Sequence, residues 1–482
     1  MSPGECRIEI PAPVLELGVR VRLAGGALFI VGGWVRDALL GHQSSDIDLA
    51  TDLDAPRIKQ ALSGMGSIYD IGEKYGTVGM CSADFSMEVT TFRRDEYSPG
   101  SRHPRVTMVP GIVEDLARRD FTINAMALEV IPEPGRLVDP YGGDEDIRQG
   151  LIRTPSDPVS SMTDDPLRMM RAARFAAQLG YRVDPALHEV INARSELLAD
   201  ISCERRRDEL EKTLVSRNAA AGLRLMIDTG LMEYVSTELM SMKGVDQPRN
   251  YHRANLLEHT LLTVEYLPSR ALLRRAALFH DVGKPSTRVT EPKIMFPGHQ
   301  KVGADLTSQA MKRLRYPRVD TETTAFLVRE HMRPILYRPD WSDAAIRRLV
   351  RDCTFLGSPG VLVGLEEVAL LARADILAGS YDTVEPNLKL LEELLQRVDA
   401  IRSAHDHEIE FLGSPLDGHD IMTLAGRGPG PWIKEVKDHL AELVIEGVLA
   451  PGDREKALEL AAGYLEIPPD RTPVTGRQTD PL

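Results

Sequence analysis

Two regimes of hydrophobic patterning divide the chain. Up to about Ile152, short apolar or alternating runs suit strands: Leu28 to Gly32 (LFIVG), Asp46 to Leu49, Gly76 to Cys81 (GTVGMC) and Ser86 to Phe92 (SMEVTTF). Amphipathic stretches such as Ala55 to Leu62 lie between them, so a mixed α/β domain is expected. After Pro158 the strand signals stop. Leu-, Ala- and Arg-rich stretches with helical spacing continue to about Tyr464, among them Pro166 to Leu179, Cys203 to Val215 and Ala271 to Phe279. The expectation is an α/β head followed by an all-α body, with no fixed-period repeat. Ile467 to Leu482 (IPPDRTPVTGRQTDPL) is rich in Pro, Thr and Asp and reads as a disordered tail.

Length sharpens this picture, because 482 residues exceed what one compact core holds. Hydrophobic residues at 43% and charged residues at 27% match soluble globular proteins and exclude wholesale disorder, collagen and a coiled coil. Aromatic residues are 5%, which favours helices over an all-β sandwich. Lys and Arg number 58 against 72 Asp and Glu, a net charge of −14. Such a balance discourages a nucleic-acid partner, unless the positive charges gather locally. Cys6, Cys81, Cys203 and Cys353 are far apart, with neither a CxxC zinc pattern nor a disulfide framework, so a cytoplasmic, reducing location is expected. The longest early apolar stretch, Ala27 to Val31, is far short of the ~18–20 residues that span a bilayer, and no membrane or targeting segment is expected.

Three constellations in the first half carry chemistry. In LFIVGGWVRDALLGHQSSDIDLAT, a strand precedes Gly32 and Gly33 and a helix opens at Trp34. Two glycines at such a turn let the backbone approach a phosphate, and Arg36 adds a charged donor. Asp46 and Asp48 stand two apart on a strand, so both face one side, where two carboxylates can chelate Mg²⁺ for in-line phosphoryl displacement. In IVEDLARRDFTINAMAL, Arg118 and Arg119 suit a triphosphate, and Asp120 and Asn124 suit a ribose hydroxyl. Alone, such a run is more often a solvated helix end. In DDPLRMMRAARFAAQLGY, Arg168, Arg171 and Arg174 recur every three residues as a basic stripe beside Asp165. An Asp and an Arg one turn apart can pair with the Watson–Crick edge of C or A, whose exocyclic amino group U and G lack at the matching position. An isolated DxxR is more often a surface ion pair.

In combination and order, these segments resemble the class II CCA-adding tRNA nucleotidyltransferases and the bacterial poly(A) polymerases, whose head resembles that of DNA polymerase β. The resemblance implies Mg²⁺ at Asp46 and Asp48 and a third acidic position on a neighbouring strand, for which Glu88 is the candidate. It implies triphosphate binding by Gly32, Gly33, Arg36, Arg118 and Arg119, with ribose recognition by Asp120 and Asn124. It further implies base reading by Asp165 and Arg168 in the helix that carries Arg171 and Arg174. Family members usually have Glu-Asp where this chain has Asp164-Asp165, a conservative departure. Glu204 to Lys212 (ERRRDELEK) resembles the family's helix-stabilising motif, whose arginines suit either tRNA phosphates or intrahelical ion pairs. Glu73 to Val78 (EKYGTV) resembles the GTV-type strand of CCA-adding enzymes, and Phe92 to Val106 resembles the flexible loop used to add the final A. CCA addition to the tRNA 3′ end from CTP and ATP is therefore expected, with poly(A) addition or A-only addition as alternatives.

The helical half carries a second pattern: His259, adjacent His280 and Asp281, and Asp375, all in apolar helical stretches. Burying unpaired polar groups costs several kcal/mol, ~2–7 for an uncompensated amide or hydroxyl, and metal coordination would satisfy them. The layout resembles the HD phosphohydrolase superfamily. His299 and His331 match the extra histidines of its two-metal members, implying a divalent transition metal or Mg²⁺. Hydrolysis of phosphate esters at this site is a further alternative. Lys312 to Arg318 (KRLRYPR) is a local phosphate-binding candidate or a solvated basic turn. Leu416 to Trp432 resembles the tail motif that follows HD domains in bacterial CCA enzymes. The expected domains are a head over 1–155, a helical neck and body over 156–245, an HD domain over 246–400, a helical tail over 401–466 and the disordered tail over 467–482. The oligomeric state is left open.

Overall fold

The computed structural model describes residues 8–42, 46–72, 76–82, 85–96, 105–132, 135–247, 254–357, 361–404 and 413–467. Residues 73–75 of EKYGTV, 97–104 of the loop, Cys6 and residues 468–482 of the tail lie outside them. The chain forms two compact units, Met1–Met240 with Arg313–Tyr316, and Ser241–Lys312 with Pro317–Leu482.

The first unit begins with helix α1 (Ala12–Leu23), strand β1 (Leu28–Val31), α2 (Gly33–Leu39), β2 (Asp46–Thr51) and α3 (Ala55–Leu62). Helix α3 starts where Asp54 accepts from the Arg57 amide, an N-cap of the usual kind. Strands β3 (Ser67–Gly72), β4 (Thr77–Cys81), β5 (Ser86–Thr91), β6 (Arg93–Glu96) and β7 (Arg105–Met108) follow, then α4 (Ile112–Ala117), β8 (Ala127–Glu129), β9 (Leu137–Val138) and α5 (Gly143–Gln149). Seven of the strands form one sheet in the order β3-β4-β5-β2-β1-β8-β9, and β6 pairs separately with β7. Strands β2 and β5 run parallel, whereas β1 meets β2 and β8 antiparallel.

Alternation decides which face carries chemistry. On β2, Ile47 and Leu49 are buried while Asp46 and Asp48 are exposed; on β5, Met87 and Val89 are buried while Glu88 is exposed. Burying each large aliphatic side chain stabilises the sheet by ~1.5–3 kcal/mol, and that fixes the register, since a one-residue slip would bury the acids.

Beyond the sheet come β10 (Leu151–Ile152), α6 (Pro158–Asp164), α7 (Leu167–Leu179), β11 (Arg182–Val183), α8 (Pro185–Arg194), α9 (Cys203–Leu214), α10 (Ala219–Asp228) and α11 (Thr237–Met240). Helix α7 packs against α9 and α10, and its Met169, Met170, Ala173 and Ala177 are fully buried.

The second unit is mainly helical: α12 (Leu256–Glu265), α13 (Ala271–Phe279), α14 (Lys284–Thr287), α15 (His299–Arg313), α16 (Arg318–Glu330), α17 (Asp343–Asp352), α18 (Leu365–Ala378), α19 (Tyr381–Ala404), α20 (Gly418–Ala425), α21 (Trp432–Glu446) and α22 (Arg454–Tyr464). Helices α12, α13, α16 and α18 pack together. Among the described residues, short β pairings depart from an all-helical body, an isolated bridge between Val289 and Met295 included. Strand β10 pairs parallel with β11, and β12 (Phe355–Gly357) pairs with β13 (Val361–Val363) as an antiparallel hairpin. Runs of two or three residues are too short to show alternation. Among the described residues, no helix is long and apolar enough to cross a membrane.

Candidate active site and metal centre

Strand register brings the three head carboxylates together. Asp48 stands opposite Glu88 across the parallel β2/β5 pair, with Asp46 opposite Ser86. Partial desolvation pushes the Asp48 carboxyl up, Arg119 opposing and Asp46 adding to the rise. Glu88 is raised for the same reason, with Asp48 and Asp46 repelling its charge. Three mutually repelling carboxylates on one open sheet face make an all-oxygen donor set, and such a set fits hard divalent cations.

The glycine turn abuts this face. Gly32 has φ +74°, and a β-carbon there would lie 2.8 Å from Arg119 Nη1 and 3.8 Å from Asp48 Oδ2. The backbone conformation therefore requires glycine, and any side chain there would also displace the Arg119 guanidinium. Arg118 and Arg119 are held from behind by buried Asp115, at 2.9 and 3.3 Å, and Arg118 also reaches Asp95 at 3.4 Å. Motif reading missed Asp115; its signal was the i,i+3 and i,i+4 spacing to the two arginines.

Asp120 and Asn124 lie inward. Asp120 Oδ1 accepts from the Phe121 amide at 2.8 Å and Asn124 Nδ2 at 3.1 Å, and its Oδ2 accepts from Arg171 Nε and Nη2 at 2.8 and 2.5 Å. Asn124 Oδ1 in turn accepts from Arg36 Nη1 at 2.7 Å. The two groups that suit a ribose hydroxyl thus bind neighbouring guanidiniums. Burial would raise the Asp120 carboxyl, but Arg171 and the hydrogen bonds from Asn124 outweigh it, and the net shift is downward.

The three arginines of α7 do not form one solvent-facing stripe. Arg174 is buried and pairs with Glu209 at 3.3 Å, while Arg171 turns to Asp120. Arg36, Arg171 and Arg174 surround the Phe175 ring at 5.3, 5.7 and 4.5 Å from its centroid, a shared cation–π contact. A period of three on a helix sweeps around the axis, so part of such a series must face the core. Phe175 had no signal beyond its apolar spacing.

Asp165 and Arg168 sit on either side of the start of α7. Asp165 Oδ1 accepts from the Leu167 amide at 3.2 Å, and Arg205 Nη2 lies 3.2 Å from its Oδ2. Arg168 donates to Ser161 Oγ at 2.7 Å and to the Arg118 carbonyl at 2.5 Å. The other basic runs are paired as well. Arg206 donates to the Tyr234 carbonyl, Arg207 pairs with Asp208 at 2.8 Å, Arg313 with Glu238, Arg315 with Glu204 at 2.6 Å, and Arg318 with Glu322 at 2.6 Å.

In the second unit, α12, α13, α15, α16 and α18 converge their polar residues. The atoms of His259, His280 and Asp375 that could bind an ion lie within 4.8 Å of one another, and so do those of Asp281, His299 and His331. His259 Nε2 is 2.9 Å from Asp375 Oδ1, and His280 Nε2 is 3.1 Å from Asp281 Oδ2. Each imidazole presents Nδ1 to a backbone carbonyl: His259 to Ala378 at 3.3 Å, His280 to Ala277 at 2.7 Å, His299 to Phe296 at 2.9 Å and His331 to Val328 at 2.7 Å. That leaves every Nε2 facing inward, the outer-shell arrangement of metal-binding histidines. Among the described residues, the buried Nε2 atoms of His299 and His331 have no hydrogen-bond partner. Burial and nearby His280 push His331 down to about 3, so its ring is neutral. Burial would raise Asp281 and Asp375, but His280 and Lys284 around Asp281, and His259 and His280 around Asp375, hold both carboxyls low. Burial lowers His299 as well; burial would also lower His280, but Asp281 and Asp375 outweigh it and raise it, and a cation can take the place of that proton, so the residues fit one or two divalent ions. Gly283 permits the assembly, since a β-carbon there would lie 2.1 Å from the His299 carbonyl oxygen.

Known proteins resemble this chain over most of its length. Residues 28–153 match the poly A polymerase head domain, 180–242 the probable RNA and SrmB-binding site of polymerase A, and 252–379 the HD domain. The chain is 32% identical over 431 residues to an A-adding tRNA nucleotidyltransferase of Deinococcus radiodurans, covering 86% of this chain and 90% of that protein. It is 40% identical over 437 residues to a CCA-adding enzyme of Bacillus pumilus, covering 90% and 92%. The crystal structure of the Bacillus stearothermophilus CCA-adding enzyme in complex with CTP superposes with a TM-score of 0.68 at 26% identity, covering 95% of this chain and 98% of that one. The chain belongs to the family of A-adding and CCA-adding tRNA nucleotidyltransferases, with a poly A polymerase head and an HD domain.

Proposed function

We propose that this chain adds the 3′-terminal CCA to tRNA from CTP and ATP, without a nucleic-acid template and with release of pyrophosphate. The observation that carries this reading is the register of Asp46, Asp48 and Glu88 on one exposed sheet face beside the Gly32 turn. Those carboxylates would hold Mg²⁺. When bound, such ions neutralise triphosphate charge and ease deprotonation of the attacking hydroxyl.

The other roles fall to the chain's own groups. Gly32 and Gly33 leave space for phosphates beside Arg119, which Asp115 orients. Arg36 and Arg171 stay fixed through Asn124 and Asp120, so these two residues act as positioning residues for the guanidiniums. The tRNA 3′-oxygen forms a bond to the α-phosphorus as the bond from that phosphorus to the bridging oxygen breaks, and pyrophosphate departs. Asp165 accepts from the exocyclic amino group of C or A, and Arg168, anchored on Ser161 and the Arg118 carbonyl, donates to a ring nitrogen or carbonyl.

The test is incubation with tRNA lacking CCA and with tRNA ending in CC, using each nucleotide in turn. Two CMP and then one AMP are expected on the first substrate, with loss of transfer in Asp46→Ala. Long poly(A) tracts on any RNA would overturn the reading. Addition of A to the CC-ended tRNA alone would favour A-only activity, a second reading that the Deinococcus relative's name supports.

A further inference from the structure

The two side chains assigned to base reading are held in opposite ways. Asp165 Oδ1 accepts from the Leu167 amide at 3.2 Å, and its Oδ2 meets Arg205 at 3.2 Å, but that arginine side chain is 51% exposed, and an ion pair so open to water is weak. The carboxylate can therefore leave Arg205 and adjust to a base. Arg168 has no such freedom. Its Nη1 donates to Ser161 Oγ at 2.7 Å and approaches the Ser161 carbonyl at 3.4 Å, while Nη2 donates to the Arg118 carbonyl at 2.5 Å. A guanidinium carries five N–H donors, so these contacts leave Nε and one hydrogen of Nη2 for a base.

Ser161 is the centre of this bracket. It lies on α6 and is 1% exposed, and its carbonyl also accepts from the Asp165 amide at 3.4 Å. One buried residue thus holds the backbone of one reader and the side chain of the other. C and A present a bare ring nitrogen beside the carbon that bears the amino group. In U and G that nitrogen carries a hydrogen, and the neighbouring carbon bears an oxygen. Against a fixed Arg168, the hydrogen meets donor with donor, and the oxygen meets the Asp165 carboxylate acceptor with acceptor. A pinned guanidinium makes this mismatch unavoidable, whereas one free to swing relieves it. We propose that Ser161 is a specificity-determining positioning residue: its hydroxyl pins Arg168 and so sets the rejection of UTP and GTP, while the loosely held Asp165 adapts to either accepted base. This rests on the reading of Asp165 and Arg168 as the base-reading pair.

The test measures kcat/KM of the full-length protein for CTP against UTP on tRNA lacking CCA, and for ATP against GTP on tRNA ending in CC. The second comparison serves equally if the chain adds A alone. Ser161→Ala removes the acceptor, and Ser161→Cys nearly keeps the volume while offering only a weak one. Both variants should narrow the discrimination at least about tenfold, the effect of one unrelieved conflict between donors. A purely structural role would lower the values for right and wrong nucleotides together, and that outcome overturns the proposal, as does wild-type discrimination in Ser161→Ala. Because the hydroxyl acts through Arg168, Ser161→Ala added to Arg168→Ala should narrow the discrimination no further; an additional loss of about tenfold would refute it. Unchanged discrimination in Arg168→Ala itself overturns the base-reading assignment. Narrowed discrimination in Arg168→Ala beside wild-type discrimination in Ser161→Ala overturns the role of Ser161 alone.

Discussion

Replacing Asp120 by Asn isolates the charge that joins the head to α7. Asp120 accepts four hydrogen bonds, two on Oδ1 from Phe121 and Asn124 and two on Oδ2 from Arg171. Asparagine can keep the first two, but it must then turn its NH₂ toward the Arg171 guanidinium, donor against donor. Two charge-assisted bonds at ~1.5–3 kcal/mol each are lost. Part of this is recovered, because the Arg171 side chain is 33% exposed to water and lies 3.9 Å from Glu209. A net loss of ~2–4 kcal/mol is expected. The pH dependence has a definite sign. The Asp120 carboxyl is depressed in the folded protein, so its stabilisation is fully present above the unfolded value of ~3.9 and is lost as pH falls through the lower folded value. The assay is urea unfolding followed by Trp34 fluorescence, in a background with Trp341 and Trp432 replaced by Phe. Wild type and Asp120→Asn should differ by the full amount at pH 7 and converge at acid pH. A difference below ~0.5 kcal/mol at pH 7, within the range of an ordinary surface change, would refute the reasoning. So would a difference that stays constant to the acid limit of folding.

Other perturbations probe separate parts of the molecule. Gly32→Ala should cost ~1–2 kcal/mol from the positive φ and also displace Arg119, so a raised KM for CTP with a lowered thermal midpoint is expected, and wild-type values for both would count against the turn's role. Glu88→Gln should raise the Mg²⁺ concentration for half-maximal transfer by ~10–100-fold; an unchanged Mg²⁺ curve would remove Glu88 from the metal set. Burial pushes the Cys353 thiol up to about 12, so at pH 8 it should stay unmodified by a thiol reagent that labels exposed Cys81. Mass spectrometry of native and urea-unfolded samples reads this out, and Cys353 labelling in the native sample would contradict it.

What could be read from the sequence follows a physical line. Local, strongly patterned features are recovered: the strand ending at Gly32, the DID strand, the helix Ala55–Leu62 and the apolar helices that carry His259, His280 and Asp375. Glu88 required the family resemblance, because its place opposite Asp48 is a matter of register between strands 40 residues apart in number, as the pairing shows. Strands β8 and β9 and the hairpin of β12 and β13 were invisible, being two or three residues long. The fate of the arginines was equally hidden. Runs such as ERRRDELEK and KRLRYPR look like phosphate-binding clusters along the chain, but their partners, Asp165 for Arg205 and Glu204 for Arg315, are remote in sequence. Such pairs leave the net charge of −14 unchanged but neutralise these arginines locally, so a local surplus of positive charge cannot be inferred from runs alone.

The two carboxylate clusters are built in opposite ways, and this predicts different metal behaviour. In the head, Asp48 and Glu88 are raised by desolvation and by neighbouring carboxylates, Asp46 acting on Asp48 and both Asp48 and Asp46 on Glu88, on an exposed face. Such a site gains most when a cation arrives together with triphosphate, and its ion should exchange with solvent. In the HD centre, His259, His280, Asp281 and His331 are essentially inaccessible, at 0 to 1% exposed, and carbonyls already fix the Nδ1 side of every ring. An ion there has its ligands oriented beforehand and must leave through packed helices. Brief treatment with a chelator, followed by desalting and added Mg²⁺, should therefore restore full nucleotide transfer while metal analysis still finds the HD ion on the protein. The His331→Ala variant should retain less of that ion after the same treatment and transfer nucleotides normally. Loss of the HD ion from wild type as fast as from His331→Ala would mean that burial does not control its release, and the contrast between the two sites would fail.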